Sequence, residues 1–153
     1  MPSKKGFTIV ELLVVVILAA LLLSTTVRGL GGALSDRSVR SARNSFEGIH
    51  ARARAHAIER GSTVHLRVAE AGDSVWIEDG SEILESVNFR DVFGVDLVAY
   101  RASEIKLCMT ARGFADTSCN SFTEWDAVLF YQGNQVNWTL ILPLGQLAYP
   151  EEL

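Results

Sequence analysis

The chain has 153 residues and a formal net charge of −4, which suits one compact domain with one added element. Apolar residues make up 48% and charged residues 21%, a globular mixture that excludes wholesale disorder. Its two cysteines include no CxxC and so do not supply the close pairs of a structural zinc site.

Residues 1–6 form a short basic leader with Lys4 and Lys5, closed by Gly6. The apolar run begins only after that glycine, whereas a secretory signal peptide is cut behind its apolar region. Residues 12–23 are all apolar, and residues 9–27 are broken only by Glu11, Ser24, Thr25 and Thr26. As a helix the wider stretch rises about 28 Å, enough to cross a bilayer core. The positive-inside rule keeps the lysines in the cytoplasm and sends the remainder across. Glu11 is the anomaly, because a carboxylate in such a segment costs about 2–3 kcal/mol near the bilayer centre. A cut after Gly6 would create a partner for it, the cationic α-amino group of Phe7.

The sequence Arg28-Gly29-Leu30-Gly31-Gly32 is a poor helix interior, since each glycine costs about 1 kcal/mol relative to alanine. A local softening is expected there. Helical patterning then resumes, with Ala42, Phe46, Ile49, Ala53 and Ala57 forming an apolar stripe and Arg40, Arg43, Glu47, Arg54 and Arg60 largely off it. Gly61 suits a helix C-terminus. One helix from residue 7 to about residue 60 is expected. Charge divides along the chain: residues 28–67 carry +5 and residues 68–153 carry −10. The stem's arginines read either as a solvated helix face or as groups that attract the acidic heads of neighbours.

After Gly61 the apolar period changes to two, over residues 62–69, 73–78, 95–100, 105–109, 127–131 and 136–142. Ala71-Gly72-Asp73, Asp79-Gly80-Ser81 and Gly133-Asn134 supply turns between them. The expected fold is α+β, a long N-terminal helix packed on an antiparallel β-sheet head. Its expected divisions are a cleaved leader at 1–6, a transmembrane helix at 7–27, an amphipathic stem at 28–61 and a periplasmic head at 62–153. If that head is exported, Cys108 and Cys119 read as a disulfide, with two reduced buried thiols as the alternative. The short loop would stabilise the fold by about 3 kcal/mol on the chain-entropy model.

Gly6-Phe7-Thr8-Ile9-Val10-Glu11-Leu12-Leu13 resembles the signature of type IV prepilins and type II secretion pseudopilins. That resemblance implies a prepilin peptidase that cuts after Gly6 and N-methylates Phe7. It also implies that Glu11 helps to recruit and register the subunit in a filament. Residues 51–68 (ARARAHAIERGSTVHLRV), followed by Val75-Trp76-Ile77, are similar to the GspH/FimT-type minor pilins, although Gln146 stands where those proteins have an arginine. The partners implied are the peptidase, other pilins or pseudopilins, an inner-membrane assembly platform, and membrane lipid before assembly.

No catalytic, cofactor or metal site is expected. His50 and His56 lie about 240° apart on a helix, and His65 falls on a strand. Trp76, Trp125 and Trp138 read as core or interface aromatics. The expected function is assembly into a type IV pilus or a type II secretion pseudopilus, from a single-pass inner-membrane precursor. The alternative is a DNA-binding minor pilin for DNA uptake, against which the acidic head argues. An anchored enzyme or receptor has no catalytic constellation to support it.

Overall fold

The computed structural model describes residues 8–149, and of residues 23–30 it describes the helical backbone alone. The leader, Gly6 and Phe7 therefore lie outside the described residues. The chain divides into two units, Met1–Leu34 and Ser35–Leu153. Helix α1 is assigned from Ile9 to Arg60, and the glycines do not interrupt it. Around Gly31 and Gly32 a built Cβ would meet nothing within 4 Å. Nothing packs closely enough to require those glycines, so the expected softening is not seen as a break.

In the second unit the apolar stripe of α1 is buried as expected. Ala42, Phe46, Ile49, Ala53 and Ala57 are fully enclosed, together with Val39. Small residues alternate with large ones along that face, so the helix backbone lies close to the sheets while Phe46 and Ile49 fill the space between. Gly61 ends the helix at φ 63°, a left-handed conformation that costs a glycine little.

The head is antiparallel throughout and is divided between two sheets. The first has the order β3-β2-β1-β5, built from β1 (Val64–Ala69), β2 (Ser74–Asp79), β3 (Glu82–Asn88) and β5 (Glu104–Met109). The second has the order β4-β6-β7-β8, from β4 (Asp96–Ala99), β6 (Asp126–Gln132), β7 (Gln135–Ile141) and β8 (Leu147–Ala148). Gly133-Asn134 makes the β6–β7 turn, with Gln132 opposite Gln135 and Gly133 at φ 61°. A short helix α2 (Phe89–Phe93) links the sheets, capped by the Asn88 side chain, which accepts from the Asp91 N–H at 2.8 Å.

The core lies between α1 and the two sheets. Phe130 of β6 has Phe46 and Phe89 on it, at ring-centre distances of 5.9 and 5.8 Å. Asp73 joins the start of β2 to the other sheet: its carboxylate accepts from the Leu97 N–H at 2.7 Å and pairs with Arg90 at 2.9 Å. The disulfide between Cys108 and Cys119 is formed, and Cys108 is fully buried.

Of the two readings of the tryptophans, core or interface, the core one is corrected, since none is in the buried cluster. The Trp76 indole N–H donates to Glu78 at 2.9 Å on the outer face of the first sheet. Trp125 stacks on Tyr100 and carries the Arg101 guanidinium at 4.1 Å. With Trp138 they line a shallow apolar groove outside the second sheet.

Candidate assembly site

At the start of α1, the Thr8 hydroxyl accepts a hydrogen bond from the Glu11 N–H at 3.2 Å, and the Thr8 carbonyl accepts from Leu12 at 3.2 Å. Thr8 is thus the N-cap and Glu11 the third helical residue, the positions of a capping box. A carboxylate in the first turn also faces the positive end of the helix dipole. Sequence reading missed the role of Thr8, although the Thr-x-x-Glu spacing signals it. Glu11 is exposed here.

Beyond that cap the helix surface is apolar on every side. Ile9, Val10 and residues 12–18 are all at least 49% exposed, and consecutive positions step about 100° around the axis. Such a surface requires an apolar surrounding. Among the described residues, no helix is long and apolar enough to cross a membrane. The apolar run read from the sequence continues into residues 23–30, whose side chains are outside the described residues.

Two of the stem's arginines pair with carboxylates of the head within the chain. Arg52 makes a two-pronged contact with Glu85 on β3, at 2.7 and 2.5 Å, which holds the Glu85 carboxyl below the usual range. Arg60 reaches Asp79 and Glu82 around the β2–β3 turn. On β1, Arg67 pairs with Glu78 at 2.7 Å and with Glu104. The basic stem and acidic head therefore meet inside one subunit at Arg52 and Arg60, while Arg40 remains on an exposed helix face with Asp36.

The histidines fall in three settings. His56 pairs with Glu59 at 4.0 Å. His65, opposite Cys108 in the β1–β5 register, brings Nε2 to 3.9 Å from the Cys119 sulfur. His50 is buried beside residues 142–149, and its Nε2 has no hydrogen-bond partner among the described residues. Burial lowers its pKa from 6.5, against a hydrogen bond with the Gly145 backbone and with a further push from Arg54. The unfolded chain then binds the proton more readily, so stability is complete above about 6.5 and falls as the pH drops below it. The thermal midpoint should decline between pH 7 and pH 5, and His50→Gln should flatten that decline. An equally steep profile in the variant would refute the assignment.

The described residues thus combine a capped, acidic first helical turn with, in the second unit, a helix face packed on a two-sheet antiparallel β head. The model of the prokaryotic N-terminal methylation motif matches residues 1–27. No curated protein sequence matches the chain. Among solved structures it is similar to the Pseudomonas aeruginosa (strain PAO1) type IV minor pilin FimU in two crystal forms. In one the TM-score is 0.56 at 12% identity, covering 74% of this chain and 88% of FimU. In the other it is 0.53 at 13%, covering 72% and 90%. The chain carries a prokaryotic N-terminal methylation motif over residues 1–27, and its fold is that of the type IV minor pilin FimU.

Proposed function

We propose that this chain is a minor pilin or pseudopilin subunit. A prepilin peptidase cuts it between Gly6 and Phe7 and methylates the new amine. Residues 7–27 then hold it in the inner membrane with the head in the periplasm. The inner-membrane assembly platform moves it from lipid into a type IV pilus or a type II secretion pseudopilus, among other pilins. The observation that carries this reading is the helix start, an all-round apolar surface whose acidic residue, Glu11, sits at the capped end. Lipid first and neighbouring helices later would both cover such a surface. The role is structural and calls for no catalytic group.

DNA uptake has less support. Arg52, Arg60 and Arg67 already hold carboxylates, and the residues from 68 onward carry −10, which repels phosphate.

N-terminal mass spectrometry of protein from membranes of cells with an active prepilin peptidase tests the proposal. The chain recovered should start at Phe7 and be heavier by one methyl group. An intact Met1, or a cut behind the apolar run after Ser24, would sink it.

A further inference from the structure

On the outer face of the first sheet, three strands carry a row of groups that the assembly role does not use. Glu78 of β2 stands opposite His65 of β1, and His65 stands opposite Cys108 of β5. Directly opposed residues in antiparallel strands share a face, with Cβ atoms about 5 Å apart. Cys119 is brought to the same place by its loop. The ligand atoms of His65, Cys108 and Cys119 all lie within 4.8 Å of one another.

The imidazole is held from both ends. Nδ1 lies 3.5 Å from Glu78 Oε1, and Nε2 lies 3.9 Å from the Cys119 sulfur. Glu78 is itself fixed, by the Trp76 indole N–H at 2.9 Å and by Arg67 at 2.7 Å. A carboxylate on one ring nitrogen, with the other turned towards sulfur, is how proteins orient a metal-ligating histidine.

We propose that His65, Cys108 and Cys119 form a redox-gated site for a thiophilic divalent ion of the zinc class, closed in the disulfide and opened by its reduction. A dithiol or phosphine reductant adds two electrons and two protons to the sulfur–sulfur bond, giving two thiols. The ion takes both sulfurs as thiolates and releases those two protons. Neutral His65 supplies the third ligand through Nε2, and a water can take the fourth position of a tetrahedral site. Two sulfurs and one imidazole select such an ion over calcium or magnesium.

The sulfurs stay in place after reduction because the loop is tied down independently of them. The Asp116 N–H donates to the Cys108 carbonyl at 2.8 Å, and the Cys108 N–H donates to Asn120 Oδ1 at 2.9 Å. Ser121 exchanges two further bonds with Lys106, at 2.9 and 2.8 Å. Tetrahedral zinc places such ligands about 3.5 to 3.8 Å apart, and the three ligand atoms already lie within 4.8 Å of one another. Cys108 is fully buried and Cys119 is not, so reductant and ion both approach from the Cys119 side.

The test is cobalt(II) titration of the full chain in detergent, after reduction by a phosphine under argon and removal of the reductant. The reduced protein should bind one cobalt per chain, with thiolate-to-metal charge-transfer absorption and the visible bands of a tetrahedral site. The disulfide form should show neither. His65→Ala and the similarly sized His65→Gln should each weaken binding about tenfold or more. Absence of the charge-transfer band in the reduced wild type, or an unchanged affinity in both variants, would overturn the proposal.

Discussion

Glu11→Gln should cut the share of the protein recovered in sheared filaments by about tenfold or more, which corresponds to about 1.4 kcal/mol or more of lost assembly energy. The amount in membranes and the cut after Gly6 should stay close to wild type. In a lone subunit the carboxylate sits at an exposed helix end, where the Thr8 cap and the helix dipole favour it. Inside a filament the same helix would be enclosed by apolar helices, where an unpaired charge costs several kcal/mol. The amine of Phe7 on an adjoining subunit can cancel it if the two helices are offset by about 6 Å, the rise of four residues. Glutamine serves a capping box as well as glutamate does, so this variant removes the charge and leaves the helix start intact. Glu11→Asp should be intermediate, because the charge remains and its reach shortens. Wild-type incorporation of Glu11→Gln would mean that Glu11 does not set the register.

Phe46→Ala should destabilise the head by about 3–5 kcal/mol, out of a total of about 5–15 for a domain of this size. The ring is fully enclosed and meets Phe130, which in turn meets Phe89, so its loss opens a cavity where α1 and α2 both contact β6. Phe114→Ala makes the contrast. That ring is 60% exposed, with the Arg54 guanidinium 5.8 Å from its centre, and its removal should cost about 0.5 kcal/mol or less. Urea unfolding of the full chain in detergent would give both values. A loss below about 1 kcal/mol for Phe46→Ala would show that the stem helix is not a wall of the core.

The helical face was legible because its signal is local. Ala42, Phe46, Ile49, Ala53 and Ala57 repeat at three- and four-residue steps, and every one is buried. Six of the strands also followed from alternation, but alternation marks faces and not partners, so the division into two sheets was hidden. Strand β3 escaped because it lies at a sheet edge, half exposed on both faces, which dilutes its period. Helix α2 has five residues, too few to show a helical period, though Asn88 and Gly94 mark its two ends.

The assembly site divides the same way. Glu11 was legible as a charge among apolar residues, and Thr8 should have been, from its spacing to Glu11. The arginine contacts were not, because Arg52 and Glu85 are 33 positions apart and only the fold joins them. His65 was read with the other histidines and the cysteines by themselves. The β1–β5 register makes His65 and Cys108 neighbours, and no spacing in the chain reveals it.

From Val39 to Ala57 the buried face of α1 is a wall of the head's core, a length of about 27 Å at helical rise. A tension applied along α1 would therefore be shared among Val39, Ala42, Phe46, Ile49, Ala53 and Ala57, all loaded together in shear. Arg52 and Arg60 add two fastenings to the β2–β3 hairpin on the same run. Head and helix are joined as a splice joins two ropes, over a length and with no single knot. To pull them apart, the whole seam must slip at once.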